Sequence, residues 1–510
     1  MKGKYLLLSA IAAMSFISCK KFLDKVPLDK IATDVYYTNQ TQIDMALISC
    51  YSRMMRGGWD GNIGADMNVC SSNAIFDCFG DNGFIKWGFL GITSGNLSPA
   101  NTATQTIYEG SYSSIAIFND FIYNLESPKV DFLQQAARQK YIAEVKFMRA
   151  YVYFTLTNLY GDVVLTLTPE GPDYRPARAS KDKVMAAILD DLDYAIASLP
   201  NDPYMNGHVV KGAAYALKMK VLLYKGDYAG VVSIWSTYFN TANNKFSMSP
   251  KYYDLFRGPN QPKNPEIIFS AIYVPDQRYR NDIDITLTNY ADLLASDDLL
   301  HAYEFNDGTP FSTTNPKYDP SNEYNNRDPR LKYTLFNSLE ISQPGSPYYG
   351  KIAGGNVTGK LIVKKFVQDE LLPAQVSGSD QDAVLLRLGD VALMYAEAEN
   401  ALNGPGNKVI DAVQMVRGRA DVNMPPLPVG LSKDAMRDRI RHERRIEMAF
   451  EGQRYFDLMR WRLMGDIIPR IVDPNGVRRV WDNKNYLWPL PTSALSKNPN
   501  LTQNAGYPRL

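Results

Sequence analysis

"RIRHERRIEMAFEGQRYFDLMRW" (residues 439–461) sets six arginines and four acids among Ile446, Met448, Phe450, Phe456, Met459 and Trp461. Three chemistries compete for it. A zinc helix needs H-E-x-x-H, so that two imidazoles one turn apart face one metal. His442 and Glu443 begin that pattern, but position 446 is Ile, and the other histidines are only His208 and His301, in no ligand-like cluster. Nucleic acid needs a net basic face, whereas Glu443, Glu447, Glu451 and Asp457 interleave with the arginines. Arg444–Glu447, Glu451–Arg454 and Arg454–Asp457 stand at i,i+3, and exposed pairs of that kind give about 0.2–0.5 kcal/mol each. The apolar residues fall on two sides, with Ile446, Ala449 and Phe450 on one and Met448, Tyr455 and Met459 on the other. The stretch therefore predicts one scaffold helix buried on two sides, with Gly452 permitting a close crossing.

Working outward, other segments repeat the helical period with small residues at the contacts. "YIAEVKFMRAYVYFTLTNLY" (141–160) is the strongest and is closed by Gly161. "SKDKVMAAILDDLDYAIASLP" starts at Ser180 as N-cap and stops at Pro200. "KGAAYALKMKVLLYKG" (211–226) and "DYAGVVSIWSTYF" (227–239) are joined by a tight Gly226-Asp227 turn. "LLRLGDVALMYAEAENAL" (385–402) and "NKVIDAVQMVRGRA" (407–420) form a later pair. Helix pairs of this length with Ala at the contacts look like tetratricopeptide-type repeats; an unrelated helical bundle would show the same periodicity. Residues 57–106 and 241–383 are rich in Gly, Asn, Pro, Asp and aromatics, and such insertions on a helical scaffold commonly carry binding surfaces.

The chain opens Met-Lys-Gly-Lys and runs through "YLLLSAIAAMSFIS" to Cys19. A basic start, a short apolar run and small residues before a cut make a secretory signal, too short to span a membrane. "Phe-Ile-Ser-Cys" resembles a bacterial lipobox, with Phe16 where Leu is more usual, so residues 1–18 read as a lipoprotein signal peptide and Cys19 as the lipidated residue. Lys plus Arg is 55 against 54 for Asp plus Glu, so no global charge favours nucleic acid. Only Cys50, Cys70 and Cys78 follow Cys19, allowing at most one internal disulfide, and Cys50 reads as a buried free thiol on a helix.

Other chemical motifs fail on one residue each. "GGNVTGKL" (354–361) has Gly354, Gly359 and Lys360 spaced as in a P-loop, but Leu361 stands where Ser or Thr would hold magnesium. It reads as a hairpin turn before the strand-like "LIVKKFV". "EFNDGTPF" holds Asp307-Gly308, yet a calcium loop with Gly308 sixth needs an acid where Tyr303 stands, so it reads as a turn. No G-x-S-x-G elbow occurs.

Eight pieces in order resemble the SusD/RagB family of Bacteroidetes outer-membrane lipoproteins. They are "CKKFLDKVP" after the signal, "AEVKFMRAYVYFTLTNLYGDVVL", "KGAAYALKMKVLLYKGDY", "NPEIIFS", "NRDPRL", "LLRLGDVALMYAEAEN", the arginine-rich stretch above and "YLWPLP" (486–491). The resemblance implies one mainly α domain over 19–510, with four tetratricopeptide-like helix pairs, long irregular insertions and a few short strands. It also implies a non-catalytic, cofactor-free lipoprotein at the outer membrane. Such a protein captures a nutrient, usually a glycan, for a SusC-like TonB-dependent transporter, with a lipid anchor and no nucleic-acid partner.

Sugars present flat apolar C–H faces rimmed with hydroxyls, so their sites combine exposed aromatic platforms with polar side chains. "NAIFDCFGDNGFIKWGFLG" (73–91) has that composition: Phe76, Phe79, Phe84 and Trp87 around Asp81 and Asn82, with Trp59 upstream. "VPDQRYRNDIDITLTNY" (274–290) is a second candidate through Tyr279, Arg280, Asn281 and Tyr290. Two other functions compete: a surface glycosidase, which needs two facing carboxylates, and a helical-repeat scaffold that binds only proteins. The lipobox gives the first test. Cys19→Ala is expected to abolish fatty-acid labelling and membrane retention, and continued labelling of the variant would refute the assignment.

Overall fold

The computed structural model describes residues 36–55, 73–85, 92, 97–205, 207–274, 283, 287, 293–352, 361–369, 379–474 and 476–508. Its N-terminal part is a series of helices: α1 (Gln40–Met55), the short α2 (Asn73–Cys78), α3 (Thr102–Leu125), α4 (Gln135–Tyr160), α5 (Lys181–Ser198), α6 (Lys211–Lys225) and α7 (Tyr228–Ile234), with α1 packed on α3 and each of α3 to α7 on the next. The middle holds short elements: β1 (Gly83–Ile85), β2 (Ile267–Ala271), β3 (Leu293–Ala295), α8 (Asp297–Ala302), α9 (Arg330–Thr334) and α10 (Ser338–Ser342). Then come β4 (Ala383–Arg387), α11 (Leu388–Asn403), α12 (Asn407–Arg417), α13 (Lys433–Glu447), α14 (Arg454–Arg460), α15 (Met464–Ile467) and α16 (Thr492–Lys497). The fold is mainly α, as expected. α11 packs against α6, α7, α12 and α13, which joins the two helical parts around one core.

Local chemistry sets several helix ends. Asn101 caps α3 by accepting from the Ala103 and Thr104 amides, and Ser180 caps α5 through the Lys183 amide. Gly226, at φ +77°, ends α6 in the left-handed region, and Asp227 immediately caps α7 through the Gly230 amide. α7 runs on as a π-turn over Trp235–Phe239, where Trp235 stacks on Tyr395 of α11 at 4.5 Å. From Ile142 onward α4 is buried nearly all round because α3 and α5 cover it on two sides. Its buried Arg149 ties the three together, pairing with Asp191 of α5 at 2.8 Å and Asn119 of α3 at 2.7 Å.

Two expectations need correction. The helix expected from 385 starts at Leu388, because residues 383–387 pair antiparallel with β2. Arg387 is extended there, which sends its guanidinium to Glu266, Glu447 and Glu451 rather than along a helix face. The stretch 439–461 is two helices, not one. Between α13 and α14 the chain turns through Phe450 (φ +63°) and Gly452 (φ +76°), and only glycine adopts such a φ without strain.

The local ion pairs expected in that stretch also give way to long-range ones. Glu447 is fully buried and meets Arg330 at 2.9 Å, Arg387 at 2.7 Å and Arg419 at 2.8 Å. Glu443 pairs with Arg330 (2.5 Å) and Arg417 (2.6 Å), and Glu451 with Arg387 (2.7 Å) and Lys365 (2.6 Å). Arg444 reaches Asp390 of α11 at 2.5 Å and Asp457 of α14 at 2.6 Å. Cys50 is a buried free thiol, as read from the sequence, and so is Cys78.

Burial would raise the Glu447 carboxyl, but the Arg419, Arg387 and Arg330 guanidiniums outweigh it and hold it well below the usual carboxylate range. A carboxylate with a depressed folded-state pKa contributes stability above its unfolded value, 4.5, and loses it as pH falls below that. The thermal midpoint should therefore drop between about pH 5 and about pH 3, and less steeply in Glu447→Gln. Glu447→Ala takes a shared carboxylate from three buried guanidiniums, leaving Arg330 with Asp328 and Glu443, Arg387 with Glu266 and Glu451, and Arg419 with Glu266, and should cost about 3 kcal/mol in urea unfolding. A variant as stable as the parent would refute the role given to this residue.

Candidate ligand-binding surface

β1 and β3 are three-residue strands from segments some 200 residues apart, paired antiparallel with Gly83 opposite Ala295 and Ile85 opposite Leu293. Ile362 joins the pair through a bridge to Leu294, and Val363 bridges Leu335. The two sugar-binding segments read from the sequence thus border one ladder. Trp87 follows β1 and Tyr290 precedes β3, while Ile85 and Leu293 are register partners. Trp59, Trp87, Tyr279, Arg280, Asn281 and Tyr290 themselves lie outside the described residues, as do Cys19, Cys70 and residues 354–360, where a hairpin turn was expected.

The described candidates require a correction. Phe79, Asp81 and Asn82 are 2%, 1% and 0% exposed, so they belong to the base of the surface and not to its face. Phe79 sits edge-on to Phe76 and Tyr455, with Trp488 6.1 Å away. Phe76 is buried as well, and Phe84 is partly buried against the core. Composition suggested a platform because aromatic and polar residues alternate here; the chain turns most of them inward.

Arginines from the C-terminal third hold this base. Arg454 of α14 donates to both Asp81 oxygens, at 2.7 and 2.8 Å. Arg445 of α13 donates to the Asn82 Oδ1 at 2.8 Å and the Asp81 carbonyl at 3.1 Å, and pairs with Asp298 of α8 at 2.7 Å. Arg479, fixed by Asp473 at 2.7 Å, donates to the Cys78, Gly80 and Gly83 carbonyls. Asp77 accepts from the Gly452 amide at 2.8 Å and the Arg454 amide at 3.3 Å, so the turn between α13 and α14 docks directly onto α2. Ser296 closes the ring, its hydroxyl on the Asp81 carbonyl and its amide on that of Asn82. Arg445 stood unassigned in the arginine-rich stretch, whereas Arg454, expected to pair with Glu451 and Asp457, reaches Asp81 instead. Nothing local in "VRRVW" marked Arg479 as a backbone clamp.

The electrostatics are those of a support rather than of acid–base chemistry. Burial pushes the Asp77 carboxyl up to about 7 against the pull of its amide donors and Lys365. Burial would do the same to Asp81, but Arg445 and Arg454 hold it well below the usual carboxylate range. Both are wrapped by protein donors. Burial lowers His442 to about 4, and among the described residues no group of His, Cys, Asp and Glu could hold a metal. Asp307-Gly308 is a turn, with Gly308 at φ +80° and Phe305 N–H donating to the Thr309 carbonyl at 2.8 Å. Among the described residues, no helix is long and apolar enough to cross a membrane.

Two family models match the chain: the SusD family over residues 233–507, and one described as "starch-binding associating with outer membrane" over residues 21–223. A SusD-like protein P25 from Formosa agariphila is 25% identical over 552 residues, spanning 99% of this chain and all of that protein. A SusD-like protein from Bacteroides ovatus is 26% identical over 90% of this chain and 83% of its own length. Among solved structures, a SusD-like carbohydrate-binding protein from Bacteroides fragilis superposes with a TM-score of 0.78 at 25% identity, covering 91% of this chain and 99% of that one. Surface glycan-binding protein A from Bacteroides thetaiotaomicron, solved with laminarihexaose, superposes at 0.68 with 17% identity over 91% and 99%, which speaks for the fold.

The clamp can be tested without a ligand. Arg454→Ala removes two hydrogen bonds from the buried Asp81 carboxylate, leaving it Arg445 at 3.2 Å, and should cost about 2 kcal/mol of stability. Amide exchange should quicken in Gly83–Ile85 and Leu293–Ala295 while α3 to α6 keep their protection. Uniform loosening of the whole chain would contradict a local clamp.

Proposed function

The chain belongs to the SusD family, and from that membership we propose that it captures a glycan at the cell surface without cleaving it. The observation that carries the reading is the β1–β3 ladder. It ties together the two insertions whose composition suits sugars, on a base that arginines and aspartates hold rigid. Trp87 leads the ligand contacts in this proposal, with Trp59, Tyr279, Arg280 and Tyr290 beside it. The carbohydrate-binding relative of equal fold supports the ligand class, and the family model described as outer-membrane-associating supports the location.

Delivery completes the proposal. A protein held by a lipid on Cys19 cannot itself move a large solute across the outer membrane. Acyl chains contribute about 0.8 kcal/mol per buried CH₂, and more than one is needed for a lasting anchor. A SusC-like TonB-dependent barrel supplies the route, with this protein bound at its mouth. The near-equal acid and base counts suit a broad contact that charge steering does not dominate.

The test is a glycan array on the soluble chain beginning after Cys19. Binding to at least one oligosaccharide class is expected, with no product released. Trp87→Ala should weaken that binding by on the order of 2 kcal/mol and leave the thermal midpoint unchanged. Absence of binding across the array would overturn the glycan reading. Recovery of the detergent-extracted protein without any barrel partner, from cells growing on its nutrient, would overturn the delivery step.

A further inference from the structure

Directly after β3, the helix α8 carries His301 into a stack that packing does not account for. The imidazole lies flat on Phe311, with ring centroids 4.5 Å apart and planes 2° from parallel. The Arg327 guanidinium is 4.2 Å from the same Phe311 centroid. It is fixed in turn by donating to the carbonyls of Leu300 (2.7 Å), Tyr303 (2.7 Å) and Glu323 (3.0 Å). Tyr318 meets Phe311 edge-on at 5.8 Å and Phe305 lies 6.0 Å away. Phe311 is thus committed inside the loop. His301 is the outward member, with 47% of its side chain exposed.

The loop does not need that imidazole for its shape. Backbone bonds close it, from Phe305 to Thr309, from Asn306 to Asn326 and from Asp328 to Glu304, each 2.8 Å long. Arg327 supplies the remaining tie. An exposed ring held flat by a rigid layer beneath is a ready-made platform for an apolar C–H face, because its orientation is fixed before anything binds. A polar rim accompanies it. The Glu323 carboxylate lies 3.7 Å from the His301 Nε2 and is partly exposed, and Asn306 and Asp307 are exposed on the same loop.

We propose that the outer face of His301, carried on the Phe311–Arg327 stack, is a stacking subsite for a pyranose ring, with Glu323 accepting a sugar hydroxyl beside it. The subsite rests on the glycan-binding reading and extends the ligand surface from the β1–β3 ladder onto α8. The hydroxyl-to-carboxylate bond would be charge-assisted, so it adds direction as well as strength.

The experiment compares the soluble protein with His301→Ala and His301→Trp on an array of α- and β-glucan, xylan, mannan and galactan oligosaccharides that includes laminarihexaose. Titration of the best-bound oligosaccharide then gives affinities. His301→Ala should bind about tenfold more weakly at an unchanged thermal midpoint, and His301→Trp, which restores a flat face, should recover the loss. Parental affinity in His301→Ala overturns the subsite and leaves the glycan reading standing, as does a loss that His301→Trp does not recover. Failure of the unmodified protein to bind any oligosaccharide overturns both.

Discussion

Burying a guanidinium costs several kcal/mol of lost hydration, and that cost is offset only when carboxylates meet it in good geometry. This protein buries Arg330, Arg387, Arg417, Arg419 and Arg444 almost completely, around Glu266, Glu443, Glu447 and Asp390. The constraint is strict. Each arginine comes from a different element than most of its partners, so satisfying the charges requires β2, α9, β4, α11, α12 and α13 to come together as they do here. Hydrophobic burial supplies the bulk of the driving force, but it is indifferent to which apolar face meets which. The ion pairs discriminate between arrangements.

The same chemistry continues outward to the ligand side. Leaving α13, Arg445 reaches the 81–82 backbone and side chain, and Arg454 of α14 grips Asp81. Asp77 receives the amides of the turn that separates the two helices. The break after Met448 therefore has a function in the architecture. A continuous helix could not present Glu451 to Arg387 and the Gly452 amide to Asp77 together. From that base rises a ladder only three residues long, with which the two insertions are joined. A short ladder has few bonds of its own, so its rigidity is borrowed from the arginines beneath.

This division suits a capture protein of the SusD family. Paired helices with small residues at their contacts make a stiff frame whose shape does not depend on the ligand. In the proposed function the binding chemistry resides in the loops that this frame carries. Buried carboxylates such as Asp77 and Asp81 lie near the proposed surface without being open to it, and their donors come from the protein itself.

Much of the frame was legible in the sequence, because its signals are local. Ser180 caps the helix that follows it, Gly161 ends α4, and Gly226-Asp227 makes the turn between α6 and α7. Each needs only the next few residues to act. The ordered family pieces and the mainly α class were likewise read from the chain itself. What tertiary structure decided was the partner of every charge and the direction of every ambiguous ring. Arg444 passed over Glu447, one turn away, for Asp390, 54 residues back. Residues 385–387 became strand because β2 offered bonds and Arg387 had carboxylates to reach. Phe79, Asp81 and Asn82 looked like a sugar platform and turned inward. Asp81 and Asn82 are held by arginines more than 360 residues downstream and Phe79 packs against Tyr455 and Trp488, and no local pattern records a contact made across that distance.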